Sequence, residues 1–297
     1  MTCLQAGEGA RSDAQASTAF EAAVRAHLRP IEGRPDYEAS LRCHLDTTRF
    51  DALMREVSAY HPVMGARLLS SGCGSAGDLH AALRAGAAEV HGIEVNPELV
   101  GLAERRFADT PDRARVHLQL YDGEALPFDD DRFDVVLSIH VIEHTRHPQA
   151  YLDELLRVTA PGGCIVLDLP NRCYAFEQHS WAPLIHYLPE GLRDALIRRL
   201  MAPAWRWLTS DDLRYRLSAS LGLRLPSADR LVAMAQALAR RRPTALADAY
   251  FHSYAGDRVC FAGRRTIHLL GPARRRTTFR LVLRRQARAP RHASIAP

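Results

Sequence analysis

The chain has 297 residues, of which 47% are hydrophobic, and this is enough apolar material for a substantial core in one large or two small domains. No apolar run approaches the roughly 20 residues that a membrane-crossing helix needs, and no basic segment followed by an apolar one opens the chain, so we expect a cytoplasmic protein. The net charge of +5 comes from residues 263–297, which hold ten Arg and no acid, against 29 basic and 34 acidic residues elsewhere. We interpret this segment as a solvated basic end, because it offers one aromatic side chain for stacking on bases.

Six cysteines are scattered along the chain without any C-x-x-C pair. This spacing argues against a zinc knuckle and against a disulfide-stapled secreted fold, and we expect reduced thiols. All 39 basic residues are Arg, so the chain has no Lys for Schiff-base chemistry or for a Walker-type phosphate loop.

Two helices are predicted ahead of the first strand. Residues 1 to about 16 are small and polar, and we expect them to be disordered. One helix is predicted from Thr18 to just before Pro30. The other ends at His61-Pro62 and has apolar residues at i, i+3, i+4 and i+7, namely Phe50, Leu53, Met54 and Val57. Residues 1–62 are therefore interpreted as a tail and a helical cap.

A glycine-rich turn follows the first predicted strand. Residues 67–79 have the pattern of a short apolar strand, a turn with Gly72, Gly74 and Gly77, and the start of a helix. Glycines allow unusual backbone angles and let a ligand lie against the main chain, where amide N–H groups and a helix dipole face it. The pattern predicts a nucleotide-type cradle, although glycines at this spacing also close ordinary turns.

From residue 67 onward, short apolar runs alternate with helical patterns, which is typical of a parallel sheet with helices on both faces. Helices are predicted up to about residue 85, from a capped start at Asn96-Pro97-Glu98, and over 150–159. A turn is expected at Pro161-Gly162-Gly163. The predicted strands after the first are 89–95, 116–120, 133–139 and 164–169.

Polar residues stand at the carboxyl end of each predicted strand, where sheets of this type bind ligands. Glu94 ends the second strand 17 residues beyond Gly77, near the spacing of about 20 residues for an acid that binds ribose hydroxyls. The combination favours an adenosine ribose, which nicotinamide dinucleotides and S-adenosylmethionine share. The other strand ends carry Ser70-Ser71, Tyr121-Asp122, residues 138–140 and Pro170-Asn171.

Residues 66–171 resemble a known family through an ordered series of motifs. The series is Leu68-Leu69-Ser70-Ser71-Gly72-Cys73-Gly74, Gly92-Ile93-Glu94, Asp122-Gly123-Glu124-Ala125-Leu126-Pro127-Phe128, Phe133-Asp134-Val135-Val136, Glu143-His144 and Arg157-Val158-Thr159-Ala160-Pro161-Gly162-Gly163. It is similar to the class I S-adenosylmethionine-dependent methyltransferases of type 11, in particular those of the ubiquinone pathway. The resemblance implies an α/β, Rossmann-like fold with a seven-stranded sheet, and S-adenosyl-L-methionine as the cofactor.

The resemblance also implies roles for individual residues. Gly72 and Gly74 would approach the methionine and ribose part, Glu94 the ribose hydroxyls, and Asp122 with its two successors the adenine. The expected cofactor contacts are Ser70, Ser71, Gly72, Cys73, Gly74, Glu94, Val95, Asp122, Gly123, Glu124 and His140. Two positions depart from the family, because Ser70 stands where an acid is usual and Ala76 where the third glycine is usual. A serine supplies no charge, so weaker cofactor binding is expected and an inactive domain stays an alternative.

His140-Val141-Ile142-Glu143-His144 spells H-x-x-E-H, a pattern that binds metal when it lies on a helix. Here it follows a buried strand, and His140 replaces the first Glu of the E-x-x-E-H described as metal-binding in some ubiquinone-pathway enzymes. We therefore predict no bound metal. Two interpretations of Glu143-His144 stay open: a hydrogen-bonded turn that shapes the pocket, or an imidazole that takes a proton from a substrate hydroxyl.

Aromatic and ionisable residues concentrate after Asn171. We predict that residues 172–260 form a helical substrate lid inserted after the fifth strand, with packing of its aromatics on one another as the alternative. Residues 184–208 could also lie on a membrane and receive a lipid-linked substrate. The residues concerned are Tyr174, Phe176, Glu177, His179, Trp181, His186, Tyr187, Trp205 and Trp207.

The remaining elements complete the predicted fold. Helices are expected from Ser210, with Leu213, Leu217 and Leu221 aligned, and over 228–241. Two late apolar runs, 266–270 and 278–283, predict an antiparallel hairpin that closes the sheet. The predicted domains are the cap (1–62), the cofactor-binding core (63–171), the lid (172–260), and the hairpin with the basic tail (261–297).

The sequence predicts methyl transfer from S-adenosylmethionine to a small-molecule acceptor, at a hydroxyl oxygen, with His144 and His179 as candidate catalytic residues. Two alternatives stay open. A nucleic-acid methyltransferase is favoured by the Arg-rich end, but the chain lacks the Asn-Pro-Pro-Tyr and Pro-Cys motifs of two common base-methylating chemistries. A cofactor-binding domain without catalysis is the other alternative. A nucleic-acid partner is not expected.

Overall fold

A sheet of eight strands runs through the middle of the computed structural model, which describes residues 18–34, 36–180, 182–205, 207, 214, 217–218, 220–253, 258–261 and 275–287. The strand order is β3-β2-β1-β4-β5-β8-β6-β7. Strands β1 to β5 are parallel, whereas β8 is antiparallel to β5 and β6, and β7 is antiparallel to β6. The strands are β1 (Arg67–Ser71), β2 (Glu89–Glu94), β3 (Val116–Leu120), β4 (Phe133–Ile139), β5 (Thr159–Pro170), β6 (Thr244–His252), β7 (Arg258–Cys260) and β8 (Thr278–Arg285).

Helices cover both faces of the sheet, and this explains why its central strands are apolar almost throughout. One face packs on α6 and α8 through residues such as Leu152, Leu155 and Leu231. The other face packs on α3 and α4 through residues such as Leu53 and Leu79. The helices are α1 (Thr18–Leu28), α2 (Tyr37–Leu45), α3 (Arg49–Ser58), α4 (Gly77–Arg84), α5 (Pro97–Phe107), α6 (Pro148–Val158), α7 (Glu190–Met201) and α8 (Ala228–Leu238).

The N-terminal cap is fastened to the glycine-rich loop by a buried arginine. Arg106 of α5 donates to the main-chain oxygens of Ser75 (2.6 Å) and His44 (2.5 Å), and its guanidinium lies 4.3 Å from the ring centroid of Phe20. The helices predicted at 18–29 and 50–57 are confirmed. The sequence analysis missed α2, because Leu41 and His44 are its only buried residues and give no clear period.

The predicted strands and helices of the first half are confirmed with small shifts at their ends. The largest concerns β5, which begins at Thr159, so Pro161-Gly162-Gly163 lies within the strand as an irregularity instead of a turn before it. Gly162 has a φ of 88°, which a left-handed kink in the strand requires. Five residues of β5 therefore precede Cys164, and Thr159 at their start pairs with Phe133 of β4.

The second half departs more from the prediction. The sheet has eight strands among the described residues instead of seven, since β7 adds an edge. The predicted hairpin is wrong in its pairing, because β8 lies between β5 and β6. The run 266–270 lies outside the described residues, as do Ser210 and Leu213 of the helix predicted there. Strand β6 and strand β7 both fall within the range 172–260 that was predicted as lid.

The segment between β5 and α8 has a small core of its own. Ile185, Ile197 and Leu217 are its buried members, and α7 supplies one of them. No helix among the described residues has the length and apolar character needed to cross a bilayer. Within the part of the chain that the structure describes, the thiols of Cys73, Cys164, Cys173 and Cys260 are free, as expected.

Candidate functional site

The glycine-rich loop leaves β1 beside the end of β4. Gly72 and Gly74 have φ values of 75° and 55°, in the left-handed region that favours glycine. A Cβ at residue 72 would clash with the side chain of Val141, which follows β4. Ala76 also has a positive φ of 60° and precedes α4, so this alanine takes the conformation of the glycine it replaces. The loop is therefore folded as a cradle and is in contact with the H-x-x-E-H segment.

Glu94 holds the cradle from the neighbouring strand. Its Oε2 accepts a hydrogen bond from the Gly74 amide at 3.0 Å, and its Oε1 accepts from the amides of Val95 (2.8 Å) and Asn96 (3.1 Å). The side chain is nearly buried at the end of β2. A carboxylate has about four acceptor sites, so one stays available for a ligand hydroxyl.

A second carboxyl group lies under the loop, and the sequence analysis missed it. Ser70 donates its hydroxyl to Asp78 Oδ2 at 2.5 Å, and the Leu79 amide donates to Asp78 Oδ1 at 2.9 Å. Both Ser70 and Asp78 are buried. Burial raises the pKa of Asp78 although these two hydrogen bonds oppose the rise. The available signal was an acid in the first turn of a helix that follows a glycine loop.

A network of hydroxyl groups lies at the carboxyl ends of β1 and β4. The Tyr151 hydroxyl of α6 donates to Ser71 Oγ at 2.8 Å and lies 2.9 Å from Ser138 Oγ. Tyr121 lies after β3, and burial is the main cause of its raised pKa. Tyr151 and Tyr121 were not among the predicted site residues. The hydroxyl of Ser71 is therefore buried and is hydrogen-bonded to another side chain of the protein.

The residues expected around an adenine lie together at the end of β3. Asp122 is exposed, and its Oδ1 accepts a hydrogen bond from the Glu124 amide at 2.9 Å. Gly123 has a φ of 84°, and a Cβ there would lie 3.4 Å from the exposed side chain of Val95. The Tyr121 amide donates to the Glu94 carbonyl at 3.1 Å, which brings this loop beside the carboxylate of Glu94.

The H-x-x-E-H segment forms a 3₁₀ turn over Ile142–His144 instead of a long helix. His140 precedes it with a φ of 57°, and its Nδ1 lies 3.5 Å from Glu143 Oε1. Glu143 is completely buried, and its carboxylate oxygens accept no hydrogen bond from the described residues. Burial alone would raise the pKa of Glu143, but His140 and His144 lower it overall.

The two candidate catalytic histidines meet in space. The rings of His144 and His179 are 5.1 Å apart and nearly perpendicular. One ligand-type atom from each of them and one from Glu143 all lie within 4.8 Å of one another. Desolvation of its ring and the neighbouring His179 lower the pKa of His144, whereas Glu143 raises it, and the net direction is down. The residue His144 reaches the surface while its ring is partly desolvated, and because its pKa is lowered the imidazole is neutral at neutral pH.

A buried glutamate fixes His179. Glu177 Oε1 lies 2.6 Å from His179 Nδ1 and accepts from the His179 amide at 2.9 Å. Its Oε2 accepts from Ser180 and from Ser220. Burial alone would raise the pKa of Glu177, but these partners lower it strongly. Glu177 therefore fixes the ring of His179 through its Nδ1.

Other predicted lid residues lie elsewhere. Trp205 and Trp207 stack on each other at 5.9 Å, and Trp207 is largely exposed. His186 Nε2 pairs with the Arg172 carbonyl at 3.0 Å, which gives it a structural role. Phe176 is also largely exposed, and Trp181 lies outside the described residues.

The fold corresponds to that of solved proteins that include an S-adenosylmethionine-dependent methyltransferase. A methyltransferase from Mesorhizobium loti aligns with a TM-score of 0.52 and 14% identity, covering 79% of this chain and 96% of that protein. The [4+2]-cyclase SpnF aligns with a TM-score of 0.54 and 16% identity, covering 92% and 96%. These likenesses show the fold, and the name of the cyclase indicates that the fold does not by itself fix the reaction.

Comparisons of the sequence with known proteins find similarity to methyltransferases. A ubiquinone biosynthesis O-methyltransferase of Cereibacter sphaeroides is 31% identical over 175 residues, covering 57% of this chain and 64% of that protein. A demethylmenaquinone methyltransferase of Clavibacter sepedonicus is 38% identical over 109 residues, covering 37% and 43%. The chain thus matches less than two thirds of the length of these relatives. Residues 69–167 match the profile of a methyltransferase domain, in agreement with the resemblance to the type 11 methyltransferases seen in the sequence.

Proposed function

We propose that the protein transfers a methyl group from S-adenosylmethionine to a hydroxyl oxygen of a small-molecule acceptor. The observation that carries this proposal is the contact between His144 and His179, because His144 lies three residues after Val141, which is the neighbour of Gly72 in the glycine-rich loop. The 31% identity to a ubiquinone biosynthesis O-methyltransferase supports an oxygen acceptor. The acceptor itself is not identified by these residues.

The cradle has the donors and acceptors that an adenosyl group needs. Main-chain amides of the glycine loop, the spare acceptor site of Glu94 and the exposed carboxylate of Asp122 suit ribose and adenine. Asp78 places a carboxyl group beside Ser70, so we propose that it supplies the acid that the strand itself lacks. When bound, the cofactor provides a methyl group that is already activated by a sulfonium.

The protein then has two tasks, positioning the acceptor and removing its proton. Positioning contributes about 7–11 kcal/mol in well-oriented reactions, and a general base contributes about 10²–10⁴-fold in rate. We assign the base to His144, because it is accessible and neutral. Glu177 orients the ring of His179, which lies against His144 and holds it in place.

The surface of α7 supports an apolar or lipid-linked acceptor. Leu192 and Leu196 are 59% and 39% exposed, whereas Arg193 between them is buried. At these three positions the usual arrangement of a helix in water is reversed, which suits contact with a lipid surface. Sedimentation with anionic phospholipid vesicles tests it: the protein should bind, and a Leu192→Ser/Leu196→Ser variant should not. Equal sedimentation of the two would contradict the assignment.

The reaction itself is tested with S-adenosylmethionine that carries a labelled methyl group, incubated with a cell extract and then with purified acceptor. We expect labelled product from the wild type and a loss of about 10²-fold or more in His144→Ala and His179→Ala. Calorimetry should show unchanged cofactor affinity in both variants. His147→Ala, an exposed histidine of the same segment, serves as the matched control.

Each other outcome has a distinct meaning. Labelling that survives both substitutions removes the base assignment. Cofactor binding without any labelled product favours the non-catalytic alternative. Stimulation by RNA that falls steeply with salt favours a nucleic-acid acceptor. Loss of activity on treatment with a chelator, restored by a divalent cation, would assign Glu143, His144 and His179 to a metal and contradict the prediction of no metal.

A further inference from the structure

A second cluster of ligand-type side chains lies on the sheet away from the glycine loop. His91 of β2 and His117 of β3 are register partners on neighbouring strands, and Glu89 precedes His91 by two residues on the same face. Glu89 Oε1 lies 2.5 Å from His91 Nε2 and 3.1 Å from His117 Nε2. One ligand-type atom from each of the three residues falls within 4.8 Å of the other two.

The cluster opens to solvent through a shallow recess of about 220 Å³, whose wall includes Gln119 and Phe128. The ring of His91 is buried and packs edge-on against Phe128 at 5.7 Å and Phe133 at 5.1 Å. The side chain of His117 is half exposed. The ring of His117 stacks on that of His91 at 4.5 Å, and the recess has room for water as a further ligand.

The protonation states and the surrounding charges bear on what the cluster can bind. Burial lowers the pKa of His91, and its hydrogen bond to Glu89 only partly offsets this. Burial alone would raise the pKa of Glu89, but His91 lowers it overall. A neutral imidazole and an ionised carboxylate are the forms that metal ligands take. The guanidinium of Arg132 lies 3.8 Å from Glu89 Oε1, and its positive charge weakens cation binding without blocking it.

We propose that Glu89, His91 and His117 form a binding site for a divalent transition metal of the zinc type. Zinc binds imidazole nitrogen and carboxylate oxygen at about 2.0–2.2 Å, which in a tetrahedral site separates ligand atoms by about 3.3 Å. The two distances from Glu89 Oε1 approach this value, and the stacked ring of His117 must turn away from that of His91 for both imidazole nitrogens to face one ion. The site lies at the start of β2, about 16 Å along the strand from Glu94. A metal ion bound there would link the edge strand β3 to β2. This proposal does not depend on the proposed methyl transfer.

The test uses untagged protein that carries His144→Ala and His179→Ala, so that the other histidine cluster cannot bind the metal. We expect Zn²⁺ to bind at one site by calorimetry and to raise the thermal unfolding midpoint. A further His117→Ala substitution should weaken Zn²⁺ binding by at least about tenfold. Gln119→Ala, on the same strand and face, should leave it unchanged.

Because His117 is half exposed, its replacement should not disturb the fold, and circular dichroism checks this. The Co²⁺-loaded protein adds a second readout, since loss of a histidine ligand changes the visible absorption of the ion. Zn²⁺ affinity that is equal with and without His117 would overturn the proposal, and so would the absence of binding to the protein with both catalytic-site histidines removed. If Zn²⁺ bound to free thiols instead of this cluster, its affinity would be equal with and without His117.

Discussion

Two carboxyl groups on either side of the glycine loop behave differently at the scale of the single residue. Glu94 accepts hydrogen bonds from three main-chain amides, and so an acid on the neighbouring strand holds the loop in place. Asp78 instead shares a short hydrogen bond with Ser70, and burial raises its pKa. The position of Glu94 was predictable from its spacing to the glycines. That of Asp78 was not, because its contact with Ser70 depends on how α4 packs on β1.

Glu94→Gln should weaken both the loop and the cofactor site. An amide turns one of its two acceptor oxygens into a donor, which would face amide donors at Gly74 or at Val95 and Asn96. We expect a loss of about 1–3 kcal/mol in the free energy of unfolding, and S-adenosylhomocysteine affinity reduced by about tenfold or more. Calorimetry and urea unfolding measure these quantities. Glu104→Gln, an exposed acid on α5, is the control, and equal affinity in both variants would contradict the role of Glu94.

His44 should make stability depend on pH. Burial lowers its pKa to about 4, and the nearby His27 and Arg106 act in the same direction. The unfolded chain takes up this proton near pH 6.5, whereas the folded protein takes it up only near pH 4. The free energy of unfolding therefore falls as the pH drops between these values, by up to about 3 kcal/mol, with no further loss from this group below them.

Urea unfolding at a series of pH values measures the effect. The His44→Gln variant should have a flatter profile than the wild type over this window, since it lacks the titrating group. His147→Gln, at an exposed histidine, should keep the wild-type profile. If the free energy of unfolding fell equally with pH in the wild type and in His44→Gln, protonation of His44 would not be the cause of the pH dependence.

At the scale of the element, strong local signals predicted the first half of the sheet. Alternating apolar runs, the proline at N1 of α5 and the Asn96 side chain, which accepts from the Glu98 amide at 2.9 Å, all agree with one another. Strand β6 was missed because its burial pattern is exposed in its first half and buried in its second, so it lacks a period of two. Its place in the sheet follows from pairing with β8, which the local sequence does not encode.

Two glycines in neighbouring elements should respond oppositely to alanine. A Cβ at Gly92 of β2 would lie within 2.7–2.9 Å of Cys73, Leu79 and Leu118. We expect Gly92→Ala to reduce the free energy of unfolding by about 1–3 kcal/mol, because the sheet and α4 are already closely packed. Gly101 of α5 has no atom within 4 Å of the same position, and Gly101→Ala should add about 0.5–1 kcal/mol. Urea unfolding compares them, and a loss in both would contradict the argument.

At the scale of the whole molecule, one arginine of β8 contacts elements from the N-terminal cap and from the parallel sheet. Arg280 of β8 makes a bidentate pair with Asp168 of β5, at 2.6 Å and 2.5 Å, and also pairs with Glu56 of α3. Both Arg280 and Asp168 are buried. The N-terminal cap, the parallel sheet and the antiparallel extension therefore meet at a single guanidinium. A bidentate fork is geometry that arginine supplies and lysine does not.

Arg280→Met should lower the free energy of unfolding by about 3–5 kcal/mol, because it leaves Asp168 buried without its partner. A second change, Asp168→Leu, should recover part of this loss by removing the unpaired charge. Arg284→Met, at an exposed position of the same strand, is the matched control and should change stability by less than about 1 kcal/mol. Equal losses at Arg280 and Arg284 would show that the buried pair contributes no more than a surface charge.

The sequence by itself determined the parallel strands, the glycine loop and Glu94, since turn residues, caps and apolar periods are properties of neighbours along the chain. Only the tertiary structure decided which distant groups meet. His144 lies against His179 of the lid, Ser70 meets Asp78, and β8 enters between β5 and β6. These contacts join residues on separate elements, and their energies depend on packing and burial that no local pattern carries.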